Sequence, residues 1–166
     1  MTQRAEPILF AILVGVGATV AMDLWTVMRK RLRGIPPADY RLVGRWLGHM
    51  RHGRFWHESI AKAAPLPGER FIGWVAHYLT GIAFAAVLLA IWGIEWVHSP
   101  RLGPAMIVGI GSVIAPFLLM QPGMGLGVAA SRAPNPSAAR LRSLVTHAVF
   151  GLGLYVAGWA VRAVIG

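Results

Sequence analysis

The chain has 166 residues, 56% of them hydrophobic and only 13% charged, with 20 Gly, 7 Trp and no Cys. A soluble domain carries roughly twice that charged fraction, so the balance excludes soluble enzyme folds, and the clustering of the few charges between long apolar runs marks a polytopic membrane protein. Lack of cysteine excludes a disulfide framework, a thiolate metal cage and Cys nucleophilic chemistry, leaving His, Asp, Glu, Met, Ser and Thr for any site. The net charge of +10 would suggest nucleic acid in a soluble protein, but beside membrane spans the nearer counterion is the anionic lipid headgroup, and no nucleic-acid partner is expected.

The first apolar run, 7–28, is interrupted near its end by Asp23, and its upstream flank offers only Arg4 offset by Glu6. It reads as a retained helix rather than a cleaved signal. The basic segment 29–70 follows, with ten Lys and Arg. After Pro36 and Pro37, the residues Tyr40, Val43, Trp46, Leu47 and Met50 recur at helical spacing opposite Arg41, Arg45, His49 and His52. That pattern predicts an interfacial amphipathic helix, with His49 and His52 on a solvated, headgroup-facing stripe. Gly53 ends it, and a second short helix is expected over 55–64 before Pro65, Pro67 and Gly68.

Three more runs, 71–97, 102–120 and 144–165, complete four spans of about the 20 residues that a bilayer core requires. The stretch from Met120 to Gly127 is Gly-rich, yet it follows a membrane helix and lacks a Lys-Ser or Lys-Thr pair, which excludes a nucleotide loop. Pro134-Asn135-Pro136 predicts a turn before the last span. Lys and Arg number thirteen in segments 29–70 and 121–142 against three elsewhere, Arg4, Arg101 and Arg162. Such asymmetry predicts a multi-pass inner-membrane protein with both termini and the turn at His98 on the periplasmic or exterior side.

An internal repeat is also legible. Residues 14–21 match 108–115 in character, and Arg70, Val75, His77, Gly81 and Ile82 align with Arg140, Val145, His147, Gly151 and Leu152 at identical spacing. The predicted fold is therefore all-α, a single membrane domain over 1–166, built of two parallel helix-loop-helix repeats (7–97 and 102–165) in a pseudo-twofold four-helix bundle. Gly15/Gly17 and Gly109/Gly111 supply faces for close helix approach.

Polar residues within the spans are a functional-site hypothesis by default. Asp23, His77 and His147 fall at one depth of the cytoplasmic leaflet, and His57 is placed to fold onto them, so these four form a candidate divalent metal set. Gly73 and Gly81 flank His77 by one turn, as Ser143 and Gly151 flank His147. Small residues on either side of an imidazole leave a flat slot that suits haem or another tetrapyrrole; the same pattern suits ordinary close helix packing.

A resemblance is carried by Gly17-Ala18-Thr19 with Met22-Asp23-Leu24-Trp25, Gly44-Arg45-Trp46, Gly73-Trp74 with His77-Tyr78, Met120-Gln121-Pro122 with Ala129-Ala130-Ser131, and Ser143-Leu144 with His147, Phe150-Gly151 and Tyr155. By these motifs the chain resembles, over nearly its whole length, the small uncharacterised bacterial inner-membrane proteins of four predicted spans grouped as a family of unknown function. The resemblance implies topology and localisation, no chemistry, and no catalytic residue carries over. Two classes of function stay open. The favoured one is a non-enzymatic accessory or assembly subunit that docks on lipid and on other membrane-protein subunits or further copies of itself. The other is a protein holding a tetrapyrrole or metal between the second and fourth spans; a small oligomeric transporter ranks third.

Overall fold

The computed structural model describes residues 6–165, so Arg4 and both chain ends, which entered the charge count and the orientation, lie outside the described residues. The fold is all-α, with no strand among the described residues. Helix α1 (Glu6–Arg33) carries Glu6 in its first turn and Lys30, Arg31 and Arg33 in its last, signs that complement the helix dipole. Gly34, at φ 65°, closes it with its N–H 2.9 Å from the Lys30 carbonyl, the left-handed stop that glycine adopts without strain.

Helix α2 (Tyr40–Met50) is capped by Asp39, whose carboxylate accepts the Arg41 N–H at 3.0 Å and pairs with the Arg41 guanidinium at 2.7 Å. Hydrogen bonding to Arg41 holds the Asp39 carboxyl below its ordinary range. In place of the second short helix over 55–64 there is a single 3₁₀ turn, Ile60–Lys62. Helix α3 (Glu69–Trp92) stops short of the expected position 97, because Gly93 turns the chain at φ 76°. Glu95–His98 then forms the separate short helix α4.

Helix α5 (Leu102–Gly111) continues through a π-helical turn, Pro116–Met120, into α6 (Gln121–Gly123). Pro116 has no N–H to give the Ser112 carbonyl, and its ring crowds that oxygen; the helix widens, and the Gln121 N–H reaches back to the Pro116 carbonyl. The final helix, α7 (Pro136–Ile165), starts eight residues before the expected span. Asn135 caps it by accepting the Ala138 N–H at 3.0 Å, with Pro136 at a position that needs no donor. Among the described residues, four helical stretches are long and apolar enough to cross a membrane: α1, α3, Leu102–Gly123 and α7.

The chain forms two compact units that do not follow the predicted repeats. One is drawn from Met1–Pro37, Tyr78–Ser112 and Val145–Gly166, the other from Ala38–His77 and Val113–Leu144. The first has a core of Val14, Ala18, Ala85, Leu88, Trp96, Val97, Ala105 and Leu154. Its helices touch through glycine. A Cβ on Gly15 would lie 2.5 Å from the Ile82 Cα, one on Gly17 2.8 Å from the Ala157 Cβ, and one on Gly109 2.5 Å from the Gly151 nitrogen; at Gly111, by contrast, it would meet nothing within 4 Å. Ile8, Leu79, Ile91, Ile107 and Val156 stand more than half exposed, an outer surface suited to lipid chains.

The second unit corrects the expectation for α2. Its buried residues are Gly44, Arg45, Gly48 and His49, not the large apolar stripe, and His49 is 6% exposed rather than solvated; His52 is exposed as expected. Glycine decides which face is buried. With no side chain at 44 and 48 the α2 backbone lies directly against Gly73, the Glu69 carbonyl and the Leu66 side chain, an approach that the bulkier face forbids.

Candidate functional site

In the first unit, the Tyr78 hydroxyl donates to the Asp23 carboxylate at 3.0 Å, joining α3 to α1. Thr26, one of the two threonines near Asp23, turns back on its own helix and donates to the Asp23 carbonyl at 2.8 Å. Thr19 likewise donates to the Gly15 carbonyl at 2.7 Å. His147 Nδ1 lies 2.6 Å from the Ser112 hydroxyl, which is itself 2.6 Å from the Gly109 carbonyl. A serine has one proton and a carbonyl only accepts. Both contacts are made together when Ser112 donates to Gly109 and the His147 Nδ1–H donates to Ser112.

His77 belongs to the second unit. Its Nε2 is hydrogen-bonded to the Tyr40 hydroxyl at 3.1 Å, its ring stacks on Tyr40 at a centroid distance of 4.2 Å, and Trp74 closes an edge at 5.9 Å. His57 lies in the same unit, beside the Gly123 carbonyl. Of the expected metal set, then, Asp23 and His147 belong to one unit and His57 and His77 to the other, and among the described residues no three His, Asp or Glu side chains are grouped to hold a metal ion.

Protein fills the room expected beside the two histidines. A Cβ at Gly73 would run into the Tyr40 carbonyl, one at Gly81 into the Thr19 hydroxyl, and one at Gly151 would come within 3.1 Å of the Ala105 carbonyl and the Met106 sulfur. Ser143 is half-buried. A macrocycle requires the space that these backbones occupy, and the Nε2 through which His77 would ligate already faces Tyr40. Gly73, Gly81 and Gly151 each lie against a neighbouring segment.

Sequence reasoning missed the strongest polar contact of the second unit. Arg45 and Glu69 form a two-pronged pair, Nε to Oε2 at 2.8 Å and Nη2 to Oε1 at 2.9 Å, with side chains only 10% and 12% exposed. Arg45 Nη1 also faces the carbonyls of Ile60, Ala61 and Ala63 at 3.1–3.4 Å, and the Leu66 N–H donates to Glu69 at 3.0 Å. The signal was present: Arg45 adjoins Gly44 on the face that lets backbones meet, and Glu69 heads an apolar helix as its lone acidic residue. Tyr40, Tyr78 and Ser112 were likewise not foreseen as partners of the titratable groups.

The fold and these contacts define, over the described residues, an all-α protein with four helices of membrane-spanning length, whose buried polar groups hold helices to one another. The chain belongs to the family described as protein of unknown function (DUF2938), whose model matches residues 12–161. No curated protein and no solved structure matches it.

Proposed function

We propose that the protein is a multi-pass inner-membrane accessory subunit that acts by packing a helix against another membrane protein. The carrying observation is the outward face of α5, where Gly103, Ile107, Ile110 and Gly111 recur at helical spacing and all stand exposed. Added Cβ atoms at Gly103 and Gly111 would meet nothing within 4 Å, whereas every other glycine inside a described membrane-length helix is pressed against a neighbour. In lipid, small residues do not drive association by hydrophobicity; they let a second helix approach closely. Gly17, which the repeat aligns with Gly111, is covered by Ala157. Gly111 offers the same kind of seat to a helix from outside the chain.

The parallel repeat is part of this reading. It is supported by two close backbone approaches of the first unit, Gly15 on Gly81 and Ile82 and Gly109 on Gly151, which fall at aligned positions. Replacing Gly111 by leucine fits the chain's own packing, so insertion and unfolding should be unchanged while the complex extracted from native membranes falls apart on native gels. An assembly of unaltered size with Gly111→Leu would reject the docking role.

Orientation rests on the Lys and Arg asymmetry, with the basic segment 29–70 on the cytoplasmic side against anionic headgroups. Since the chain has no cysteine, single substitutions report cleanly. A membrane-impermeant maleimide on intact cells should label Ser99→Cys and reach Arg51→Cys only after the membrane is opened; the opposite pattern would invert the topology.

A further inference from the structure

The second unit brings together two imidazoles, each with one nitrogen beside a backbone carbonyl. His49 is 6% exposed on the buried face of α2, and its Nε2 lies 3.0 Å from the Ala64 carbonyl. A carbonyl only accepts, so Nε2 carries the proton and Nδ1 keeps a lone pair. His57 is anchored twice on one oxygen: its backbone N–H donates to the Gly123 carbonyl at 2.9 Å, and its Nδ1 faces the same carbonyl at 3.4 Å. Its Nε2 is thereby left as an acceptor, enclosed from solvent and without a partner. The two ring planes are inclined at 64° with centroids 5.2 Å apart.

Each ring thus has one nitrogen held by a backbone carbonyl and the other presenting a lone pair, the arrangement that fixes histidines as metal ligands. Two imidazoles that share a tetrahedral ion at about 2.0–2.1 Å have ring centroids roughly 5 Å apart. A third acceptor is buried in the same unit. Gln121 is 7% exposed and its Oε1 has no partner; it follows the π-helical turn and precedes, by two residues, the Gly123 that anchors His57. The two segments are tied by the Ile60 N–H to the Met124 carbonyl at 3.1 Å, and Gly125, at φ 93°, presses on the His57 and Glu58 carbonyls, where a Cβ has no room. Enclosed acceptors without donors are costly unless a donor or a cation meets them.

We propose that His49 Nδ1, His57 Nε2 and Gln121 Oε1 form a binding site for a divalent transition-metal ion of the zinc class, with water completing the coordination. The site is independent of the α5 face. The probe is Co²⁺ titrated into the untagged, full-length protein in detergent, read by its visible ligand-field bands. Wild type and the His52→Ala control should bind one equivalent, and His49→Ala and His57→Ala should each weaken binding at least about tenfold. X-ray absorption on the loaded wild-type protein should report two imidazoles, a readout that needs no variant to fold. Absence of saturable binding, wild-type affinity in both histidine variants, or a spectrum without two imidazoles would each overturn the site.

Discussion

Arg45→Met is expected to cost about 3–5 kcal/mol of folding stability, the penalty for leaving one partner of a buried ion pair without the other. A pair of this geometry in solvent contributes only about 0–1 kcal/mol, and burial decides between the two magnitudes here. Both side chains are nearly enclosed. Removing the guanidinium strands the Glu69 carboxylate with the Leu66 N–H as its one described donor, and strips the carbonyls of Ala61 and Ala63 of theirs, while Ile60 keeps the Ala63 N–H. Arg45→Lys should fall between, since an ammonium keeps the charge but not the two-pronged fit. Hydrogen bonding to Glu69 raises the Arg45 pKa above its already high ordinary value, so the pair does not loosen by losing the arginine proton at working pH. Denaturant titration measures the loss, and protease cleavage within 51–68 locates it. A loss below about 1 kcal/mol would place the pair in solvent and contradict the packing of α2.

Gly44→Ala and Gly73→Ala should each detach α2 from the start of α3. A methyl at 44 would run into the Glu69 carbonyl and stand 2.7 Å from the Gly73 nitrogen; one at 73 would run into the Tyr40 carbonyl. Alanine favours a helix over glycine by about 1 kcal/mol, whereas overpacking costs about 1–3 kcal/mol and more where the obstacle cannot move. Backbone meets backbone here, so the clash prevails by roughly 2 kcal/mol. The Tyr40 to His77 bond should go with it. Hydrogen exchange is expected to accelerate in α2 and not in α7, while Gly103→Ala, with open space at its Cβ, leaves both unchanged; protection of α2 equal to wild type would refute the close approach.

The four spans were legible because an apolar run of membrane length leaves few alternatives, and their ends moved where local chemistry intervened. Gly93 shortened α3 and Asn135 advanced α7, both visible as residues yet outweighed by hydropathy. The third span was expected to end at 120, but Pro122, near the start of a fresh helical turn, sacrifices no needed donor, and the helix runs on to Gly123. The buried face of α2 was not legible from amphipathic spacing, which weights large apolar side chains and gives Gly44 and Gly48 no weight. Partners of the titratable residues come from other helices, Tyr78 for Asp23, Tyr40 for His77 and Ser112 for His147, and sequence spacing carries no information on that pairing.

The docking role of the α5 face is tested most directly by crosslinking in native membranes with single cysteines in this cysteine-free chain. Ile107→Cys and Ile110→Cys, with a short bismaleimide, should capture an adduct of defined mass, twice the chain if the partner is a second copy and another value if it is a different polypeptide. Leu79→Cys and Val156→Cys, on the comparably exposed faces of α3 and α7, should remain monomeric. Capture at Ile107 no greater than at Val156 would contradict the account.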